Sequence, residues 1–427
     1  MEKYQLIILL IFIFILNSCT STNVTINRSV NVYSIIDTLN YSTYWTAMRC
    51  GFPELASKFT DEEDKIKFSK GLSKILIGEH ECAERIFREI INFTKNDTLL
   101  DNSKIILEQL LIYQSKWKDY FDTFRNKNAS DSVEIIRLLY PAFMNNKEVV
   151  SYNNQVDTLK IKIKNGLIFI PVKLNDNEID FLFDTGAQHT IISNKIAQEV
   201  GIQSLTNIKS GLISSNNIFN DLQTGLINNL KFGNYQSLNK PCIITNEDNL
   251  KSKFLFYTFL RFDAILGWDI IKNLDITIDY DKDIIILKKP LKKESTKKNL
   301  FWLDCPIVKV KSNNGYDLLF FYDSGAQNSS FYDLLSKKLN LEEMSETNER
   351  IYGIGGSSKR DVKVIPKISF KLNNFNLNFE NLKSGLESRG QFFKLDGMLG
   401  NDIGLKAGKL HLDASNGIFE IDTIDSK

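Results

Sequence analysis

Two short stretches decide how this chain is read: Phe183-Asp184-Thr185-Gly186-Ala187-Gln188 and Tyr322-Asp323-Ser324-Gly325-Ala326-Gln327. Each ends a run with strand character. Before the first, Leu159, Ile161 and Ile163 alternate with polar residues, and Ile168, Ile170, Val172 and Leu174 do the same. Asn175-Asp176-Asn177-Glu178 then supplies a polar turn, and Ile179, Phe181 and Phe183 resume the alternation. A period of two broken by a polar turn predicts β-hairpins. Before the second stretch, Leu318 to Phe321 forms an apolar run. A short helix is expected after each motif. The first spans Ser193 to Val200, with Ser193 as N-cap and Gly201 at the C-cap; the second spans Phe331 to Leu339, with Asn340 at its end.

Working outward, a second pair of segments also matches. Asp263-Ala264-Ile265-Leu266-Gly267-Trp268-Asp269-Ile270 parallels Asp396-Gly397-Met398-Leu399-Gly400-Asn401-Asp402-Ile403, with five of the eight positions identical. Gly267 and Gly400 stand at nearly equal distances behind Asp184 and Asp323. Each half then closes with a hairpin, around Asp279 to Asp283 and around Asp413 to Gly417. Internal duplication accounts for the whole pattern.

A single Asp-Thr-Gly usually marks only a turn after a strand. Here the tripeptide has apolar residues before it, Ala directly after its glycine and an apolar-apolar-Gly segment at matched distance, and the set occurs twice. From about 155 to 425 the chain resembles the retropepsin-like and pepsin-like aspartic proteases, with two lobes in tandem. That resemblance implies a bilobal, pseudo-twofold acid-protease β-barrel fold. Lobe 1 covers 155–287, a Lys-rich linker 288–300 and lobe 2 301–427. It implies catalysis by Asp184 and Asp323, active-site turns supported by Thr185, Gly186, Ala187, Ser324, Gly325 and Ala326, and a peptide or protein substrate. It calls for no cofactor and no metal.

The chemistry can also be stated from the residues. A strand ending in Asp-Thr/Ser-Gly holds a carboxylate at the tip of a tight turn, and glycine admits close backbone approach where a Cβ would clash. The resemblance implies that the hydroxyls of Thr185 and Ser324 donate to backbone across the lobe interface. Two adjacent carboxylates share one proton, because both cannot ionise cheaply. One then acts as base on a water and the other as acid on a carbonyl. Ile265-Leu266-Gly267 and Met398-Leu399-Gly400 are expected to pack beneath the turns. Substrate-covering flaps are expected around Ser214 and Ser215 in lobe 1, and around Tyr352, Gly355 and Gly356 in lobe 2. Acidic relatives often carry Ser or Thr after the motif glycine. Ala187 and Ala326 stand there instead, which removes donors to the charged form and predicts a weakly acidic to near-neutral optimum.

Composition fits this chemistry. Lys plus Arg number 53 and Asp plus Glu 52, so no global field draws in nucleic acid. Hydrophobic residues at 43% and charged residues at 25% describe a folded chain. Only three histidines occur, His80, His189 and His411, which leaves little room for a multi-histidine metal site or a histidine-based nucleophile system. His189 reads as a surface or lobe-packing residue. Of the cysteines past residue 19, a Cys50–Cys82 bridge and isolated buried thiols are both compatible with the spacing.

The N-terminus reads as an address. Leu6 to Leu16 is an unbroken apolar run that rises about 16 Å as a helix, short of the roughly 30 Å core of a bilayer. It ends in Leu16-Asn17-Ser18-Cys19, which resembles a bacterial lipobox. This implies a signal peptide at 1–18, lipidation of Cys19, attachment to a bilayer and a place in the bacterial cell envelope, with Thr20 favouring the outer membrane. Residues 19–40, rich in Thr, Ser and Asn, read as a tether.

Residues 41–150 show helical spacing, as in Leu72, Ile75, Leu76 and Ile86, Phe87, Ile90, Ile91. Gly78-Glu79-His80-Glu81-Cys82-Ala83 with Phe87 resembles a tetratricopeptide repeat (TPR), with His80 solvated in its turn; Trp117, Tyr120 and Phe124 form a degenerate second copy. The fold class is therefore an N-terminal helical, TPR-like domain followed by the all-β module. The function expected is a lipid-anchored aspartic endopeptidase whose helical domain recruits a substrate or protein partner. The alternative is a catalytically silent peptide-binding protein on the same fold. Pairing of lobes between chains and an inhibitory role for 41–150 are two further arrangements the sequence allows.

Overall fold

The computed structural model describes residues 21–28, 43–124, 146–208, 212–213, 218–219, 222–254, 257–292, 298–339, 341, 344–353, 356–385 and 392–423. After a strand at Asn23–Arg28 and short helices at Tyr44–Arg49 and Pro53–Ala56 come two helical hairpins. Glu63–Leu76 reverses through Gly78, at φ +76°, into His80–Phe93. Asp97–Tyr113, capped by the Asn96 side chain on the Leu99 N–H, reverses through Ser115 into Trp117–Phe124. Ala83 and Phe87 are fully buried, and the Phe87 ring meets Phe68 edge-on with centroids 5.3 Å apart. Tyr120 occupies the small-residue position of the second hairpin. It is buried too, with its hydroxyl donating to Glu108 at 2.9 Å.

The helical region shares one core with the second β lobe. Phe68, Leu72, Ile75 and Leu107 form one apolar cluster with Phe301, Leu303, Ile307, Leu319, Phe321, Phe392, Phe393 and Leu395 of the second β lobe. Phe68 and Phe392 lie ring to ring at 5.8 Å, and the Lys394 N–H donates to the Arg49 carbonyl at 2.7 Å. The helices are fused to the outer face of that lobe.

The first β lobe is a closed barrel. Tyr235–Thr245, Ile191–Ser193, Ala264–Leu266, Asn177–Phe183, Leu167–Leu174 and Leu222–Phe232 are hydrogen-bonded in that order, and Leu222–Phe232 pairs back onto Tyr235–Thr245. The second lobe has the same neighbours, read here in the opposite direction round the barrel: Phe375–Lys383, Gly356–Leu372, Cys305–Ser312, Asp317–Tyr322, Gly397–Leu399 and Ser330–Phe331. A parallel bridge from Phe331 to Ser384 returns that path to its start. The expected hairpins close both halves and then join each other. Ile418–Thr423, Gly408–Asp413, Asp275–Asp279, Ile284–Lys288 and Val156–Lys160 form one five-stranded sheet, with Asp275 opposite Asp413 and Ile278 opposite Leu410. The helix after the first motif is Asn194–Glu199, and Ser193 caps it by accepting from the Ile196 N–H. The helix after the second is Asp333–Lys338.

Several details differ from the sequence reading. Within the stretch read as a tether, Asn23–Arg28 is a strand on Phe375–Lys383, with Val24 buried. At the end of the stretch read as helical, 41–150, Val149–Tyr152 is a strand on Tyr235–Leu238. In both cases a short strand with one or two inward residues is held by an existing sheet edge rather than by its own pattern. Cys50, Cys82, Cys242 and Cys305 are thiols outside any disulfide, so no Cys50–Cys82 bridge forms, and all but Cys82 are buried. His80 is half-buried rather than solvated: its Nε2 is buried without a hydrogen-bond partner and its ring packs at a tilt on Tyr113, with centroids 4.3 Å apart. Within the Lys-rich linker, Lys298 donates to the Ile77 carbonyl, tying the segment to the end of a helix.

Candidate active site

Asn177–Phe183 and Asp317–Tyr322 each run parallel to the short strand of the matching apolar-Gly segment. The Asp184 N–H donates to the Leu266 carbonyl at 3.1 Å, and the Asp323 N–H to the Leu399 carbonyl at 2.9 Å. Each strand then ends in a turn folded around its own carboxylate. Gly186 and Ala187 donate backbone N–H groups to Asp184 Oδ1 at 2.8 and 3.2 Å, and Gly325 donates to Asp323 Oδ1 at 2.9 Å.

The two turns face each other. A Cβ placed on Gly186 would lie 2.6 Å from Asp323 Oδ1, and one placed on Gly325 would lie 2.6 Å from Asp184 Oδ1. Each motif glycine is therefore the surface against which the opposite carboxylate rests. Hydroxyls tie the turns together. Thr185 donates to the Tyr322 carbonyl at 2.8 Å, and Ser324 donates to the Phe183 carbonyl at 2.9 Å. Thr185 and Ser324 are buried, whereas Asp323 keeps partial exposure.

Gly267 and Gly400 pack beneath the turns as expected. A Cβ on either would lie 2.5 Å from backbone, that of His189 or Asn328. The sequence reading missed a polar layer beside them. Thr190 donates to Asp269 Oδ1 at 2.9 Å, and Ser329 donates to Asp402 Oδ1 at 2.7 Å. The signal was available, since both halves carry a hydroxyl residue six positions after the motif aspartate and an aspartate two after the apolar-segment glycine.

The two halves differ in charge at this layer. Burial pushes the Asp269 carboxyl up, but buried Lys240, 3.0 Å away, and His189 outweigh it and hold it below the usual range. Lys240 also meets Glu148 at 3.4 Å. Asp402 has no ion-pair partner among the described residues, and burial raises it to about 6 against the donors of Ser329. His189 is a packing residue: it is buried, and burial holds it down to about 4.

The glutamines that end the motifs cross between lobes. Gln188 Nε2 donates to the Asp304 carbonyl at 2.9 Å, and Gln327 Nε2 donates to the Asn165 carbonyl at 2.7 Å. Asp304 and Asn165 are left-handed turn residues, at φ +70° and +51°.

Both flap regions contain hairpins. Ser345–Gly353 pairs with Gly356–Leu372 as far as Gly353 opposite Gly356, so Tyr352 and Gly356 lie at its end and Gly355 lies outside the described residues. In the first lobe Leu212–Ile213 pairs with Ile218–Phe219, while Ser214 and Ser215 lie outside the described residues, as does Cys19.

Residues 170–273 match the family described as gag-polyprotein putative aspartyl protease. The matched segment holds Asp184 and Gly267 but not the second motif. Among solved structures, a retropepsin-like aspartic protease from Rickettsia conorii is similar at 20% identity, over 33% of this chain and 90% of that one, with a TM-score of 0.23. No curated protein matches.

Proposed function

We propose that this chain is an aspartic endopeptidase whose dyad is Asp184 and Asp323. The observation that carries the reading is the reciprocal packing of Gly186 on Asp323 and Gly325 on Asp184. Carboxylates held that close share one proton, because ionising both is costly. The charged partner takes a proton from a bound water. The protonated partner donates to the scissile carbonyl, and the leaving nitrogen is protonated as the tetrahedral intermediate collapses. The proposed scaffold is pseudo-twofold, with both lobes in one chain. The hairpins ending near 213–218 and 353–356 close over bound peptide.

Three finer elements belong to the same proposal. Cys19 carries lipid, which places the enzyme in a bacterial envelope, the outer membrane favoured. The helical hairpins are TPR-like, a reading supported by Gly78 in the turn and by buried Ala83 and Phe87. Their exposed side, where Phe93 is 77% exposed, offers a surface to a protein partner or substrate.

The test is a peptide library incubated with the wild type, Asp184→Asn and Asp323→Asn. Cleavage by the wild type that disappears in both variants is the expected result. Peptide binding without cleavage by the wild type would instead identify a catalytically silent binding protein. A Phe93→Ser substitution that changes partner capture without changing cleavage of short peptides would support the recruitment role.

A further inference from the structure

The two halves bridge the lobe interface in different ways. In the second lobe Asn401 does so directly. Its N–H donates to the Ala326 carbonyl of its own catalytic turn at 2.8 Å. Its Nδ2 donates to the Gly166 carbonyl of the first lobe, and its Oδ1 accepts from the Tyr280 hydroxyl at 2.6 Å. Trp268 holds the matching place in the first lobe, and its N–H donates to the Ala187 carbonyl at 2.7 Å. Its side chain makes no such bridge: the indole Nε1 is buried with no hydrogen-bond partner among the described residues.

The helical region supplies the bridge on that side. Among the described residues of 43–124, Tyr113 alone packs against the core cluster that both lobes share. It ends the helix Asp97–Tyr113, and its ring stacks on Trp302 of the second lobe with centroids 5.0 Å apart. Its carbonyl accepts from the Lys272 ammonium of the first lobe, which also donates to Ser115 Oγ at 3.3 Å.

Both contacts lead to the Asp184 turn. Trp302 lies on the strand Leu300–Leu303, and the next residue, Asp304, accepts from the Gln188 side chain. Lys272 caps the one-turn helix Trp268–Ile271, whose first two N–H groups donate to the Ala187 and Gln188 carbonyls at 2.7 and 3.2 Å. Tyr113, Trp302, Gln188, Trp268 and Lys272 line one cavity, so the ring of contacts closes on itself. A turn held from two sides cannot slide along the lobe interface, and a slip of about 1 Å at a dyad costs about 100-fold in rate.

We infer that Tyr113 is a positioning residue: it clamps the first lobe to the second beside the Asp184 turn and so fixes the separation of the dyad. The helical region is thereby part of the active-site frame as well as a cover for apolar surface. The effect on rate rests on the protease reading above; the clamp itself does not.

Four variants test it. Tyr113→Ala removes the stack, Tyr113→Phe keeps it, and Lys272→Met removes the bond to the Tyr113 carbonyl while leaving the ring. Ile90→Ala weakens the helical region at a buried site outside the ring of contacts. Each is assayed below its melting temperature on a peptide that the wild type cuts. Tyr113→Ala and Lys272→Met should lower kcat at least about tenfold with KM changed less than about threefold, while Tyr113→Phe and Ile90→Ala stay within about twofold of the wild type. Unchanged kcat in Tyr113→Ala, or an equal loss in Ile90→Ala, overturns the inference.

Amide hydrogen exchange reads the clamp without activity. In Tyr113→Ala and Lys272→Met the Trp268 and Asp269 amides, which hold the Asp184 turn, should exchange at least about tenfold faster, while the Asn401 amide, which holds the Asp323 turn, keeps its wild-type rate. Wild-type exchange at all three amides, or an equal rise at both turns, overturns it as well. If the wild type cuts no peptide in an Asp184-dependent way, the protease reading falls by itself, and the exchange pattern alone decides the clamp.

Discussion

Thr185 and Ser324 satisfy each other across the lobe interface. The Ser324 N–H donates to Thr185 Oγ1 at 2.9 Å, and the Thr185 N–H donates to Ser324 Oγ at 3.0 Å. Each hydroxyl passes its own proton to a carbonyl of the opposite lobe. Thr185→Val removes the hydroxyl and leaves the Tyr322 carbonyl and the Ser324 N–H unpaired in a buried place. At about 1–3 kcal/mol per orphaned group, the cost is roughly 2–6 kcal/mol, while Thr185→Ser should keep the network. Denaturant midpoints of the two variants, with kcat/KM on a cleaved peptide, check this. Equal stability of Val and Ser variants would refute the linkage.

Gly186→Ala and Gly325→Ala should each disable the enzyme through the other lobe's aspartate. The added methyl meets a carboxylate oxygen at 2.6 Å, so the dyad must separate. A displacement of that order costs about 100-fold or more in rate. A variant that folds, binds peptide and retains full kcat would contradict the reciprocal packing.

The pH–rate profile should peak at weakly acidic to near-neutral pH. Asp184 receives backbone N–H groups from Gly186 and Ala187, but alanine at 187 and 326 supplies no hydroxyl donor. Ala187→Ser or Ala326→Ser should move the acid limb to lower pH, because a donor to the charged form favours ionisation. A wild-type optimum below about pH 3.5 would overturn the argument.

Stability should fall on acidification, and the junction between helices and lobes should loosen first. Burial, with Lys272 and Lys298 adding to it, holds His80 down to about 4; burial also holds His189 there, against Asp269. Below the free-histidine value of 6.5 the unfolded chain binds protons that the folded chain refuses, so stability is complete above 6.5 and lost as pH falls towards 4. The loss is at most roughly 3 kcal/mol for each histidine. Asp402 works the other way. Its folded value of about 6 lies above 3.8, so its contribution is complete below 3.8 and lost as pH rises through 6. Thermal melts between pH 4 and 8 should show His189→Gln flattening the acid loss and Asp402→Asn removing the opposing slope.

Excising the helical region should destroy the enzyme rather than activate it. Phe301, Leu319, Phe321, Phe392 and Phe393 would lose the helices that cover them. Even Phe392→Ala should cost about 3–5 kcal/mol, the usual range for a buried Phe truncated to Ala. Solubility and activity of a chain lacking residues 43–124 decide between this scaffold role and an inhibitory one; a soluble, more active fragment would favour inhibition.

What the sequence made legible was local or repeated. The motif strands, the Ser193 cap and the closing hairpins follow from short-range pattern, and duplication located the paired carboxylates without distance information. What it concealed depends on long-range burial. Phe301 and Phe392 look like any core residues, and nothing near them says that their partners are helices more than two hundred positions upstream. Val24 and Ile26 are too few to announce a strand until an open edge receives them. His80 looks polar and exposed until Tyr113 lies against it. Asp269 and Asp402 look equivalent, and only the placement of Lys240 separates their chemistry.

The sheet in which Asp275–Asp279 pairs with Gly408–Asp413 makes the two halves of the chain partners by backbone hydrogen bonding and not only by covalent sequence. Exposed Leu291 lies just outside it, in the segment between the halves. A chain cut there should remain whole under native conditions, and halves produced separately should find each other and regain activity together. On the protease reading proposed above, the repeated halves amount to a latent two-piece enzyme kept in register by one connecting segment.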